Sequence, residues 1–409
     1  MPRVVLLSQG DELTTGQTVD TNSNWLAGRF WAMGVPVRRV ITAPDELGET
    51  AAVLREAVAL GDVVVSTGGL GPTRDDWTAE AAALAFDAPL EESALALAQV
   101  EARYAAWGRL MHPSARKQAL LPQGCRVIEN HWGTAPAFVV EAGQVPVYFL
   151  PGVPREMRPL FEEQVEPEIR ARLGSDGARL VLLRTTGVPE SELEQRLEEL
   201  RAPGLTVGFR AMPGEVQVKL RFDGDLDEPL AQELTARARR LLGECVFGQD
   251  TGDLSEVVGH ALAERGETIA LAESCTAGRL AAWLASVPGA SRYLLEGSVV
   301  YSNEAKERTA GVPHEVLEAH GAVSEPVARL LAEGMRARAG ATWGIGITGV
   351  AGPGGGTPAK PVGTVFVGVA GPEGTEVRHL KLSGDRERIQ ALSAATALAM
   401  LLGALRSRG

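Results

Sequence analysis

Val63-Val64-Val65-Ser66-Thr67-Gly68-Gly69-Leu70-Gly71-Pro72-Thr73-Arg74-Asp75-Asp76-Trp77-Thr78 is the stretch from which the fold can be read. Its consecutive valines show no polar alternation, the mark of a parallel strand buried on both faces. Glycines then turn the chain, and a helix begins near Thr78. In an open α/β sheet, ligands bind beyond the carboxyl ends of the strands. Glycine lets backbone N–H groups approach an anion, and a helix N-terminus adds positive partial charge. Gly68, Gly69, Gly71 and Thr73 are therefore candidates for a phosphate site. Asp75 and Asp76 stand beside it, where two carboxylates would let a divalent cation bridge protein and substrate. The plainer alternative is a tight turn in which Asp76 caps the helix.

Working outward, residues 1 to about 170 alternate β-rich and helical runs. Strands are predicted at Val4–Leu7, Val37–Ile41, Val63–Thr67 and Val147–Leu150, and helices at Asn24–Met33, Glu49–Leu60, Thr78–Phe86 and Glu92–Trp107. This alternation predicts a doubly wound α/β sheet. Residues 178–248 read strand, helix, strand, strand, helix, strand, a small βαββαβ unit of α+β type. Gly174–Gly177 and Gln249–Asp253 are predicted linkers on either side. Residues 252–409 form a second doubly wound α/β unit. Its predicted strands begin with Thr268–Leu271 and Gly297–Tyr301, its helices include Cys275–Ser286 and Asp385–Leu405, and Ser324 is the expected N-cap of another. The predicted architecture is thus two α/β domains, 1–172 and 252–409, flanking a KH-like α+β domain.

Composition narrows the function classes. The chain has 409 residues and a formal net charge of −12, which argues against non-specific DNA or anionic-membrane binding. Three scattered cysteines, Cys125, Cys245 and Cys275, make neither a disulfide framework nor a zinc knuckle. No run approaches the roughly 18 apolar residues of a membrane span. These readings predict a cytoplasmic protein without a membrane partner. Lysine and asparagine are rare, so each one that occurs carries more information than usual. The middle domain has no Gly-x-x-Gly loop between its helices and a net charge of −2 over residues 179–248, so it is expected to be structural or to mediate a homodimer rather than clamp RNA.

Two further stretches follow strands of the first domain. Gln9-Gly10-Asp11-Glu12-Leu13 leads into Asp20-Thr21-Asn22-Ser23-Asn24. Glu12 and Asp11 are further metal or ribose candidates and Asn22 a substrate candidate, although Thr21–Ser23 would serve equally as helix caps. Leu150-Pro151-Gly152-Val153-Pro154 is expected to form a wall of the same pocket, or a rigid turn.

The last domain carries a different constellation. A strand leads into Ala272-Glu273-Ser274-Cys275-Thr276-Ala277-Gly278, and a second into Tyr301-Ser302-Asn303-Glu304-Ala305-Lys306. Serine is a weak nucleophile that needs a base. A lysine serves if burial lowers its pKa, and a tyrosine can relay the proton. Ser274, Tyr301 and Lys306 are therefore expected to converge, with Ser274 at a helix start whose N–H groups would stabilise an oxyanion. A capping Ser274, a nucleophilic Cys275 and a solvated Lys306 are the alternatives. Thr348-Gly349-Val350-Ala351-Gly352-Pro353 is a second glycine-rich loop, so Thr348, Gly349 and Gly352 are phosphate or oxyanion candidates.

The Gly68–Thr78 run and the Leu150–Pro154 loop resemble the molybdopterin-binding fold of molybdenum-cofactor biosynthesis enzymes. The Gly10–Leu13 and Asp20–Ser23 stretches resemble the branch formed by the N-terminal domain of the competence/damage-inducible CinA family. The motifs around Ser274, Tyr301–Lys306, His320–Pro326, Thr348–Pro353 and Lys360–Val365 resemble that family's C-terminal domain. The resemblance implies two hydrolytic activities. One is ADP-ribose cleavage to AMP and ribose 5-phosphate at Asp76, aided by a divalent metal (Mg, Mn or Co) at Asp75, Asp76 and Glu12. The other is deamidation of nicotinamide mononucleotide, without a cofactor, with Ser274 as nucleophile and Tyr301 and Lys306 as its activators. The alternatives are an N-terminal domain that binds molybdopterin-type ligands, or a non-catalytic partner in competence or DNA damage. In the final helix Gln390 and Ala391 stand where the family often has Arg, which leaves open which Arg would meet a substrate phosphate.

Overall fold

The computed structural model describes residues 2–173 and 179–408, so the predicted linker Gly174–Gly177 lies outside the described residues. The chain separates into two compact units. The first runs to Leu180 and includes Phe222–Leu226; the second holds Val181–Arg221 and everything from Asp227 onward.

The first unit contains β1 (Val4–Gln9), α1 (Asp11–Thr14), α2 (Thr21–Ala32), β2 (Val37–Ala43), α3 (Leu47–Leu60), β3 (Val63–Thr67) and α4 (Thr78–Ala85). It continues with β4 (Leu90–Glu92), α5 (Ala94–Ala106), β5 (Leu120–Pro122), β6 (Arg126–Ile128), β7 (Ala137–Ala142), β8 (Val145–Leu150), α6 (Pro154–Leu160) and α7 (Glu166–Leu173). Six strands form one sheet in the order β2-β1-β3-β8-β7-β6. Pairing is parallel from β2 through β8 and antiparallel at β7 and β6. The central strands bury both faces, as the valine run requires. Val64, Val147 and Phe149 pack toward α3 and α4, while Val63, Val65, Tyr148 and Leu150 pack toward α2 and α6. The β7–β8 hairpin escaped the sequence reading: only its second strand was expected. Parallel sheets with an added antiparallel edge are common, and their topology leaves no composition signal.

The second unit begins with the small module β9 (Arg179–Thr185), α8 (Glu190–Arg196), β10 (Leu205–Met212), β11 (Glu215–Phe222), α9 (Glu228–Leu242) and β12 (Val246–Gln249), in the predicted order of strands and helices. Its sheet order is β10-β11-β9-β12. There follow α10 (Leu254–Arg265), β13 (Ile269–Glu273), α11 (Arg279–Ala285), β14 (Leu294–Val299), α12 (Asn303–Ala310), α13 (His314–His320), α14 (Glu325–Ala339), β15 (Trp343–Gly349), β16 (Thr364–Gly371), β17 (Gly374–Lys381) and α15 (Arg386–Ser407). The second sheet has the order β14-β13-β15-β16-β17, parallel on one side of β15 and antiparallel on the other.

Three expectations need correction here. The helix predicted over Cys275–Ser286 starts only at Arg279, because Ala277 and Gly278 both take positive φ. Ser324 occupies the N-cap of α14, but its hydroxyl donates to the Gly321 carbonyl at 2.9 Å instead of capping. Finally, α15 is long and apolar enough, by length and composition, to cross a membrane. Single polar residues such as Ser393 and Thr396 interrupt its apolar stretches and hid this from the sequence reading. Eleven of its residues are buried, and Ile389, Leu398 and Leu401 belong to the domain core.

The stretch Gln249–Asp253 is held, not free. Asp250 Oδ1 accepts from Leu182 N at 2.8 Å, Thr251 O accepts from Arg184 Nη1 at 3.1 Å, and Asp253 caps α10. Phe247 of β12 joins the core formed by α10, α15 and the second sheet. Arg406 of α15 donates to Val246 O and Phe247 O at 3.2 and 2.9 Å. A fragment cut at 252 therefore loses a buried phenylalanine. Truncating one costs about 3–5 kcal/mol, and a domain of this size loses about 2–4 °C per kcal/mol. Residues 252–409 alone should accordingly melt about 10 °C below a fragment beginning at Arg179. Equal melting temperatures in calorimetry would show that Phe247 contributes nothing to the core it joins.

Candidate functional sites

Beyond the carboxyl ends of β1, β3 and β8 lies a cleft of about 620 Å3, lined by Glu12, Asp45, Gly68, Gly69, Gly71, Thr73, Asp75, Asp76 and Gly152, among others. The sequence thus placed most of its N-terminal candidates on one surface. The acidic loop is braced from within. Thr73 N donates to Asp76 Oδ2 at 2.8 Å, and the single proton of the Thr73 hydroxyl lies between the Asp75 and Asp76 carboxylates, within reach of either. That hydroxyl holds the Asp75 carboxyl below its ordinary range. Gly71 is glycine for a steric reason: a Cβ there would stand 2.5 Å from Asp76 Oδ2. Lys117 secures the loop from behind, donating to Thr73 O at 3.1 Å and Asp76 O at 2.6 Å while lying over the Trp77 ring. Lys117 and Asp45 were not foreseen; the rarity of lysine was the one signal that pointed to the first.

Asp45 is pushed above its ordinary value, first by burial and then by Asp11, Glu12 and Asp75. Negative charge therefore accumulates on this side of the cleft. Among the described residues no group of three His, Cys, Asp or Glu side chains converges as a ready-made metal cage. The donor chemistry suits a hard cation such as Mg that takes one or two carboxylates here and its remaining ligands from phosphate oxygens and water. Asn22 does not line the cleft. Its amide donates to Gly152 O at 2.7 Å and so braces the wall, while its Oδ1 is buried without a hydrogen-bond partner.

In the second unit, Ser274 follows β13 and Lys306 lies in the first turn of α12, whose cap is the Ser302 hydroxyl. Parallel pairing of β13 with β14 brings the two strand ends together. Lys306 Nζ lies 3.3 Å from Ser274 Oγ and donates to the carbonyls of Val300 at 2.9 Å and Tyr301 at 3.2 Å. Lys306 is 1% exposed. Burial pulls its pKa below the ordinary lysine value, with Cys275 and Glu304 opposing.

Two parts of the expected arrangement differ. First, the early amides of α11 are not free for an oxyanion. The buried Glu273 carboxylate accepts from Gly278 N, Leu280 N and Ala281 N at 3.1, 3.1 and 2.7 Å. A charged acceptor at a helix N-terminus satisfies both the orphan donors and the dipole. Second, Tyr301 offers Lys306 its carbonyl, not its phenol. Its side chain is 58% exposed, and its hydroxyl accepts from Arg386 Nη2 at 2.8 Å. The chain turns at Ser302 into α12, which directs the ring outward. Cys275, the alternative nucleophile, has a buried thiol pushed up to about 12 by that burial, so it does not ionise near neutrality.

The loop after β15 is tied to the same site. Thr348 Oγ1 donates to Ala322 O at 2.7 Å, and Gly349 lies tight against β16. Gly352 O accepts from Arg386 Nη1 at 2.8 Å. Arg386 was not singled out from the sequence, where it is one of many arginines. Gln390 donates to Cys275 O at 2.7 Å, a backbone tie next to Ser274.

A doubly wound domain with an acidic glycine-rich cleft, and a second domain with a buried Ser–Lys pair, define an α/β protein with two candidate sites. Residues 5–171 match the family described as probable molybdopterin binding domain, and residues 251–405 match the CinA C-terminal domain. A CinA-like protein of Anaeromyxobacter sp. (strain K) is 47% identical over 408 residues, which is 99% of this chain and 100% of that one. A CinA-like protein of Myxococcus xanthus (strain DK1622) is 43% identical, covering 98% and 97% of the two chains. Among solved structures, CinA from Thermoplasma acidophilum is 36% identical, covers 41% of this chain and 98% of its own, and gives a TM-score of 0.39. The chain belongs to the CinA family.

Proposed function

We propose that the protein is a bifunctional hydrolase of pyridine nucleotides, with nicotinamide mononucleotide deamidated in the C-terminal domain and ADP-ribose cleaved in the N-terminal one. The observation that carries the reading is the 3.3 Å approach of the buried Lys306 amine to the Ser274 hydroxyl. A neutral lysine has two N–H groups and one lone pair. Three backbone carbonyls surround Nζ, those of Val300, Tyr301 and Ser302 at 2.9, 3.2 and 3.4 Å; in the neutral amine two of them take the N–H groups and the lone pair turns to the serine proton. Ser274 Oγ attacks the carboxamide carbon as Lys306 accepts its proton. Lys306 then returns that proton to the departing nitrogen, and ammonia leaves. Water, deprotonated by the same amine, hydrolyses the resulting ester and frees nicotinic acid mononucleotide. Arg386, at the rim beside Tyr301, is the cation suited to the substrate phosphate.

In the N-terminal cleft, Gly68, Gly69 and Gly71 would cradle the pyrophosphate. Asp75 and Asp76, with Glu12, would hold a divalent cation whose chemistry is to neutralise the phosphate oxygens. Thr73 and Lys117 keep those carboxylates in place. The test is ammonia release from nicotinamide mononucleotide, and AMP release from ADP-ribose with and without added Mn. Absence of either product from the purified full chain rejects that half of the proposal.

A further inference from the structure

The cleft of the N-terminal domain has a second wall that no motif announced. Gln118, Thr134 and Glu156 line part of the cleft, and Gln118 is bonded to the glycine loop through Leu70 O. Glu156 lies in the first turn of α6 and is held in place by Asn130. Asn130 is fully buried and every polar atom of its side chain is engaged. Its amide donates to Glu156 Oε2 at 3.1 Å and to Ala135 O at 2.9 Å, and its Oδ1 accepts from Trp132 N and Gly133 N, both at 3.0 Å. Gly133 makes room for the carboxylate: a Cβ there would stand 1.6 Å from Glu156 Oε2. Thr134, next in sequence, is within 3.4 Å of Gln118 Nε2. Gln118 also donates to Leu70 O at 3.1 Å, but its Oε1 is buried and has no hydrogen-bond partner.

An unpartnered buried acceptor is costly unless a ligand or water supplies the donor. Here it lines the same cleft wall as a carboxylate fixed by a rigid, fully satisfied amide. A water molecule about to attack phosphorus has two O–H groups to place, one on a base and one on an orienting acceptor. The pair Glu156 and Gln118 Oε1 supplies both roles, beside the anion and cation sites of the same cleft.

We propose that Glu156 is the general base of pyrophosphate hydrolysis, with Gln118 orienting the water; the inference rests on the ADP-ribose reading of this domain. The water oxygen bonds to one phosphorus of the pyrophosphate. The bond from that phosphorus to the bridging oxygen breaks, and its electron pair leaves on the other phosphate. The water proton passes to the Glu156 carboxylate and then to solvent. AMP and ribose 5-phosphate result.

The experiment uses the full chain. Glu156→Gln keeps the shape and the bond from Asn130 but removes the base. General-base loss costs about 10²–10⁴-fold, so kcat for ADP-ribose should fall by that factor. The dissociation constant of ADP-ribose, measured by calorimetry, should stay within about threefold because the change removes no phosphate contact. The acidic limb of the kcat–pH profile should disappear, and added formate should partly restore Glu156→Ala. Gly133→Ala, which displaces the carboxylate without altering it, should lower kcat as well. Glu156→Gln with wild-type kcat, or with binding lost in step with turnover, overturns the assignment. A wild-type chain that neither binds nor cleaves ADP-ribose overturns the reading beneath it, and this shows before any variant is made.

Discussion

Ser274→Ala and Lys306→Ala should each remove nearly all ammonia release from nicotinamide mononucleotide, and the double variant should be scarcely worse. Members of a nucleophile–base unit are not additive, because either loss abolishes the step they share. The base alone accounts for about 10²–10⁴-fold, and loss of the nucleophile costs at least as much. Lys306 also sets the pH dependence. Its folded pKa is depressed by burial, so at low pH it is protonated and cannot accept the serine proton. Activity should rise with pH through that depressed value and level off above it, and the rising limb should be missing from any residual activity of Lys306→Ala. Cys275→Ala tests the neighbouring alternative. A thiol with a pKa of about 12 is un-ionised at neutrality, so this variant should stay active. A dead Cys275→Ala beside an active Ser274→Ala would move the nucleophile by one residue. AMP release from ADP-ribose should persist in all of them, since the two sites lie on separate sheets.

Asp76→Asn should lower ADP-ribose cleavage by about 10²-fold or more, the scale expected when a metal's charge stabilisation of several kcal/mol is lost. Asparagine is the informative substitution because Asp76 also accepts from Thr73 N and Thr73 Oγ1. The amide oxygen retains an acceptor for that turn, so the loop keeps its shape while the charge goes. EDTA should stop cleavage by the wild-type chain, and Mn should restore it. Deamidation should be untouched by either treatment. Undiminished AMP production by Asp76→Asn, or indifference to EDTA, would remove the cation and its ligand from the chemistry.

Candidate site residues differ in how plainly a sequence shows them. Gly68, Gly69, Gly71, Asp75 and Asp76 were legible because a phosphate loop is local: the strand, the turn and the helix start fall within one short stretch. Ser274 and Lys306 were legible as a pair because both follow strands, and parallel neighbours bring their carboxyl ends to one edge. Glu156, Gln118, Asn130 and Arg386 were not. Each is an ordinary residue in an ordinary stretch, and its role depends on elements distant in the chain that pack beside it. Glu273 is the sharpest case. As a letter it is one glutamate among many, but in the structure it caps α11 and so removes the helix N-terminus from the list of oxyanion donors.

What the sequence determined by itself was the class of fold, the order of elements in the small middle module, and the two loops around which chemistry gathers. These follow from periodicity and from glycine, whose effects act over a few residues. Only the tertiary structure decided that Tyr301 turns its phenol to Arg386, that Asn22 braces Gly152, and that β7 and β8 form a hairpin at the sheet edge. It also decided that the stretch before residue 252 belongs with the core that follows it. Side-chain direction and burial depend on contacts between segments far apart in the chain, and no local pattern of residue types encodes them.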